Sequence, residues 1–137
     1  MATHNGEKFI KEQLDSILCQ LSPEDEVVIS DDGSTDSTLE IIEGYNDSRI
    51  KIYRMTHTRK GMKSHYYVTM NFENALRQAK GDYIFLCDQD DVWYPHKVER
   101  CFEVLKEYDM VLTYKIYEQI EISILSGFKV FHMEMLK

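Results

Sequence analysis

Between Cys87 and Trp93 the chain places three carboxylates in four positions, Asp88-Gln89-Asp90-Asp91, directly after the apolar run Tyr83-Ile84-Phe85-Leu86. Acids this close repel one another, so the pattern calls for a hard divalent cation with oxygen ligands, for solvent, or for donors from a partner molecule. A second acidic group, Asp31-Asp32-Gly33-Ser34-Thr35-Asp36, follows the β-branched run Val27-Val28-Ile29. Aspartates are also common loop and helix-cap residues, and for either group alone that plainer reading stays open. The one basic run, Arg54, Arg59, Lys60 and Lys63 with His57 and His65 nearby, reads as a solvated loop or as a contact for a diphosphate.

These acids need elements to position them. Gly81-Asp82 and Pro95 bound the run into Cys87, which is predicted to be a buried central strand delivering Asp88, Asp90 and Asp91 at its carboxyl end. Upstream, Glu26 to Ser30 is predicted as a second strand ending in acids. Between its end and the next helix Gly33 supplies a tight turn, with Ser34 or Thr35 as the cap. Helical spacing marks Glu7 to Gln20, through Phe9, Ile10, Leu14, Ile17, Leu18 and Leu21, and a second helix through Leu39, Ile41, Ile42 and Tyr45. Ile50 to Tyr53 alternates as a strand. Val68 to Ala79 forms a helix with Phe72, Ala75, Leu76 and Ala79 on one side, and Pro95 opens a further helix through Val98, Cys101, Phe102 and Leu105 to Tyr108. Met110 to Thr113 reads as one more strand.

Helix and strand alternate throughout, which predicts an α/β fold: a largely parallel open sheet with helices on both faces. Such sheets bind ligands at the carboxyl ends of their strands, so Asp31, Asp32, Asp88, Asp90 and Asp91 would share one rim. A doubly wound phosphoacceptor domain would also gather acids there. It would need a strand-end lysine in the later strands, and the sequence has none in that place.

At 137 residues and 43% hydrophobic content the chain is long enough for one domain with a core. Its net charge of −8 argues against nonspecific binding to nucleic acid or to anionic lipid surfaces. Cys19, Cys87 and Cys101 lie too far apart for a zinc knuckle or a redox pair and read as reduced core residues, which fits a cytoplasmic location. No secretion signal and no apolar stretch of membrane-spanning length is present.

Four motifs in order carry a resemblance: Ala2-Thr3-His4-Asn5-Gly6-Glu7-Lys8-Phe9-Ile10, Ser30-Asp31-Asp32-Gly33-Ser34-Thr35-Asp36, Asn71-Phe72-Glu73-Asn74-Ala75-Leu76, and Gly81-Asp82-Tyr83 through Asp88-Gln89-Asp90-Asp91-Val92-Trp93. The chain from Met1 to about Thr113 resembles the inverting family 2 glycosyltransferases with the GT-A fold, many of them bacterial enzymes of surface-polysaccharide synthesis. The last motif is similar to a rhamnosyltransferase-like subgroup. The resemblance implies transfer of a sugar from a nucleotide diphosphate donor to a hydroxyl of a glycan or lipid-linked acceptor. Thr3, Asn5, Asp31, Asp32 and Asp88 would line the donor pocket. Asp88 and Asp90 match the family's Asp-x-Asp motif and would hold Mg²⁺ or Mn²⁺ against the diphosphate. Peripheral membrane association is compatible with such a role.

Departures from the family shape the expectation. His4 stands where Tyr is more usual. The buried first strand that normally precedes the Ala-Thr-x-Asn segment is expected to be missing or reduced to a stub. Residues 1–113 would form the donor half of a GT-A domain, and 114–137 a tail fitting neither a clean strand nor a clean helix. The family's catalytic base belongs to an acceptor half, and the tail's carboxylates, Glu118, Glu121 and Glu134, suggest none. A non-catalytic remnant that binds only nucleotide and metal is therefore the alternative to an active transferase.

Overall fold

The computed structural model describes residues 1–55, 64–114, 122–125 and 128–132. They divide into two compact units, the first formed by residues 1–14 and 21–91 and the second by 15–20 and 92–137.

In the first unit β1 (Ala2–Thr3), β2 (Val27–Asp31) and β3 (Ile50–Arg54) form a parallel sheet in that order. All five residues of β2 are buried, as its β-branched run between two partner strands requires. The register sets Thr3 and Arg54 on either side of Asp31, so the three strands end level. Helix α1 (Ile10–Leu18) buries Ile10 and Leu14 in this unit, and α2 (Thr38–Gly44) buries Thr38 and Ile42. Phe9, expected on the buried face, precedes the helix and is exposed.

Helix α3 (Ser64–Gln78) starts four residues before its predicted start and packs on β1 and β2. Its buried residues are Asn71 and Ala75, while Leu76 is exposed. The helix is therefore rotated from the apolar stripe, because the polar Asn71 is drawn onto the strand ends where it has a backbone partner.

The largest correction concerns the predicted central strand. Tyr83 to Cys87 is not a strand, and Tyr83, Ile84 and Leu86 are 56%, 53% and 60% exposed. A parallel bridge, Ala2 to Asp88, joins this segment to the sheet. A strand needs a neighbour bonded along its length, and the pairing with β1 falls at the end of this run, at Asp88.

The second unit contains α4 (Lys97–Leu105) and a three-stranded sheet in the order β4 (Leu112–Tyr114), β6 (Phe128–His132), β5 (Ile122–Leu125). β4 runs parallel to β6, and β5 antiparallel to it. The tail thus contains two strands where neither element was expected. Only Ser126 and Gly127 separate them in sequence, a spacing that suits a hairpin. Ile17, Trp93, Cys101 and Val104 are buried here. Pro95 lies before the helix, and His96 occupies the N-cap with φ of 66°, in the left-handed region. All three cysteines are free, but Cys19 is exposed instead of buried. No helix among the described residues is long and apolar enough to cross a membrane.

Candidate functional site

The carboxyl ends of β1 and β2 feed two loops, residues 3–7 and 31–38, that are joined residue by residue. The amide N–H of Asn5 donates to the Ser34 hydroxyl at 2.9 Å, and the Asn5 side-chain oxygen accepts from the Thr35 N–H at 2.8 Å. Asn5 adopts a positive φ of 48°, which asparagine tolerates better than most residues. Gly6 donates to the Thr38 hydroxyl at 2.7 Å. Glu7 donates its N–H to Asp36 and accepts from the Ser37 N–H, each at 3.1 Å, a reciprocal pair resembling a capping box across two loops.

Within this frame Asp31 is 1% exposed. Its carboxylate accepts from the Thr3 hydroxyl at 3.2 Å, from the Ser34 N–H at 3.0 Å and from the Ser34 hydroxyl. Ser34, expected as a possible helix cap, is instead committed to Asp31. The helix end is served by Asp36, which accepts from the N–H and the hydroxyl of Thr38. Desolvation pushes the Asp36 carboxyl up, but the hydrogen bonds from Thr38 and from the Glu7 N–H together outweigh it and hold the group below the ordinary carboxylate range.

Asp32 is only half-buried, its N–H donating to the Thr3 carbonyl at 2.9 Å while its own carbonyl lies 2.7 Å from His4 Nδ1. Asp88, the residue bridged to Ala2, and Asp90, on the turn that follows it, are both exposed. Since Ala2 also pairs with Ser30, Asp88 lies two strand spacings from β2, roughly 10 Å across the sheet. Both acid groups therefore reach the same end of one sheet, the first by a strand and the second by a bridge. Among the described residues no group of three His, Cys, Asp or Glu side chains could hold a metal ion.

Of the basic run, Arg54 is the last residue of β3, directly beside Asp31 in the register, and His65 lies in the first turn of α3. His57, Arg59, Lys60 and Lys63 fall outside the described residues, as do Glu118, Glu121 and Glu134.

Three further contributors escaped the sequence reading of the site. Asn71 donates to the Thr3 carbonyl at 3.1 Å, Asn74 donates to the Ser30 hydroxyl at 2.7 Å, and Gln89 bonds the backbone of His4. The signal for the first two was present: two asparagines three apart in an amphipathic helix share a face and must find polar partners if that face is buried.

Comparison with known proteins places this geometry. The model of Glycosyl transferase family 2 matches residues 1–123, running past Thr113. The dTDP-rhamnosyl transferase RfbG of Shigella flexneri is 38% identical over 111 residues, which cover 77% of this chain and 36% of RfbG. TuaG of Bacillus subtilis, a putative teichuronic acid biosynthesis glycosyltransferase, is 31% identical over 84% of this chain and 44% of its own length. The crystal structure of S. aureus TarS 1-349 in complex with UDP superposes with a TM-score of 0.67 at 26% identity, covering 86% of this chain and 35% of that TarS chain. The chain thus spans about a third of the length of RfbG and of the TarS 1-349 chain. With its parallel sheet, its two acidic loops and a family match over most of its length, the chain belongs to glycosyl transferase family 2.

Proposed function

We propose that residues 1–113 are the nucleotide-sugar-binding half of a glycosyltransferase that passes a sugar from a nucleoside diphosphate to an acceptor hydroxyl in bacterial cell-surface polysaccharide synthesis, with 114–137 outside that half. The observation that carries this reading is the convergence of the Asp31 and Asp88 ends on one edge of one sheet. Asp32 and Asn5 form the nucleoside side of the pocket, and Thr3, buried with its hydroxyl on Asp31, supports that side from the strand end. Asp31, buried and saturated with hydrogen bonds, contributes by fixing the shape of the loop. The UDP held by TarS and the dTDP in the name of RfbG share a pyrimidine, so a pyrimidine nucleoside diphosphate is the donor class we assign. The acceptor is a glycan or a lipid-linked glycan reached in the cytoplasm, at the membrane surface in the lipid-linked case.

The donor set fits a divalent cation. Asp88 and Asp90 are exposed hard oxygen donors on one turn, and Mg²⁺ sites commonly use one or two carboxylates completed by substrate phosphates. Asp90, with Asp88, would hold Mg²⁺ or Mn²⁺. Bound there, the ion supplies Lewis-acid stabilisation of the departing diphosphate. The protein's own part is to hold the nucleoside against the β1 and β2 ends and to present the diphosphate to the acid turn.

Calorimetry with Mn²⁺ and UDP or dTDP tests the reading. Wild type gives saturable binding and Asp90→Ala loses most of it; indistinguishable heats for the two proteins would remove Asp90 from the site. Binding without transfer is a second reading, favoured because the acids that converge on this edge all stand on the donor side. Acceptor-dependent release of nucleotide would decide against it.

A further inference from the structure

The middle residue of the Asp-x-Asp turn is built into the site as firmly as its neighbours are exposed to solvent. Gln89 accepts from the His4 N–H at 2.9 Å through Oε1 and donates to the His4 carbonyl at 3.1 Å through Nε2. One side-chain amide thus satisfies both backbone groups of one residue. Only one orientation of the amide allows this, because its oxygen cannot donate and its nitrogen cannot accept.

Gly6 gives a second, independent observation. A Cβ built on Gly6 would stand 2.7 Å from Gln89 Cδ and closer still to Oε1, so a larger residue there would push the Gln89 amide from its seat. Gly6 does not have a positive φ, so its backbone conformation does not demand glycine. What glycine spares here is the seat of the Gln89 amide.

This clamp matters because the expected strand below the acids is absent. The turn follows directly on the bridge between Asp88 and Ala2, immediately before Gln89. From these relations we infer that Gln89, seated on Gly6, is a positioning residue: it latches the acid turn to the first loop and so sets where Asp88 and Asp90 present their carboxylates. The inference rests on the proposed donor site.

The test uses the full chain and four proteins: wild type, Gln89→Ala, Gly6→Ala and the double variant. UDP affinity is measured by calorimetry with and without Mn²⁺, and exchange of the His4 amide hydrogen is followed in parallel. Supporting residues of this kind typically alter metal affinity by roughly 10–100-fold. Gln89→Ala is expected to lose Mn²⁺-enhanced UDP binding by about that factor, to leave Mn²⁺-free UDP binding close to wild type, and to expose the His4 amide to faster exchange. Gly6→Ala displaces the same side chain, so the double variant should be no worse than the more affected single variant. Should Gly6→Ala fail to fold, Gln89→Glu replaces it: that side chain keeps the acceptor for the His4 N–H, loses the donor to the His4 carbonyl, and is expected to lose part of the Mn²⁺ enhancement.

Equal weakening with and without Mn²⁺ would mean general loosening and would overturn the inference, as would wild-type affinity in Gln89→Ala. If wild type itself binds no UDP with Mn²⁺, the donor-site reading fails and this inference falls with it, an outcome distinct from intact binding that ignores Gln89.

Discussion

Asn71, midway along α3, donates from Nδ2 to the carbonyl oxygen of Thr3 at 3.1 Å, the same oxygen that receives the Asp32 N–H at 2.9 Å. One helix side chain and one loop amide thus hold the last residue of β1 from two directions. Thr3 in turn donates its hydroxyl to Asp31. The helix, the short strand β1 and the buried carboxylate form a single chain of hydrogen bonds beneath the site.

Asn71 is 3% exposed, and its Oδ1 has no hydrogen-bond partner among the described residues. Asn71→Ala removes the bond to Thr3 and also that buried orphan. Losing a buried hydrogen bond typically costs about 1–3 kcal/mol, and relief of the orphan places the expected loss toward the lower end. Asn71→Asp loses the donor while adding charge beside a carbonyl, so it should destabilise more. Urea unfolding of both variants checks the order, and Asn71→Asp matching wild type would contradict it.

Asp47 sits in a separate ion pair of the first unit. It accepts from Arg49 Nη2 at 2.7 Å, from Nε at 3.1 Å and from the Arg49 N–H at 2.9 Å, while Arg49 Nη1 donates to the Leu21 carbonyl at 2.8 Å. The side-chain hydrogen bonds from Arg49, then its backbone N–H, hold the Asp47 carboxyl down from the ordinary 3.8 to about 2. A depressed folded-state value contributes stability that is complete above the unfolded value and is lost as pH falls through the folded one. Thermal melting followed from about pH 5 to pH 2 should therefore show a shallower acid decline in Asp47→Asn than in wild type, the difference falling between about pH 4 and pH 2. The group is solvent-accessible, so the difference should be small and should shrink further in high salt.

Trp93 is buried in the second unit, where its backbone N–H donates to the Ser16 hydroxyl at 2.9 Å and Lys97 Nζ lies 4.7 Å from the ring centroid. Its position just after the acids invites a ligand role, but its burial points to packing. Trp93→Ala is expected to cost about 3–5 kcal/mol of stability with little change in UDP affinity below the melting transition. Denaturant unfolding and calorimetry on the same variant check this, and unchanged stability with lost binding would reverse the assignment.

Ile84 and Leu86 present apolar side chains to solvent in the segment that leads to the bridge at Asp88. Exposed side chains of this kind contribute little to folding and favour association. Leu86→Ser should change stability by no more than about 0.5 kcal/mol, within the usual range for surface substitutions. It should also lower self-association in sedimentation velocity runs. A large loss of stability would show that Leu86 is packed in solution.

The sequence by itself determined the elements whose causes are local. The run Val27-Val28-Ile29 is a strand, and the chain turns at Gly33, whose φ is 69°. Helical spacing located α1, α2 and α4 to within a few residues. The family motifs, and with them the two acid groups, were legible for the same reason, since a motif is a short-range pattern. What the tertiary structure decided involves partners distant in the chain. Tyr83 to Cys87 has the composition of a central strand, yet a strand exists only where a neighbour is bonded along it, and the bridge to β1 falls at Asp88. Asp31 and Asp88 look equivalent as strand-end acids, but Thr3 and Ser34 bury the first, while the second stays exposed on its turn. Gln89 appeared as the unremarked spacer between two aspartates. Only the fold brings His4 and Gly6 to it, because hydrogen bonds and close packing depend on distances in space that residue order does not encode.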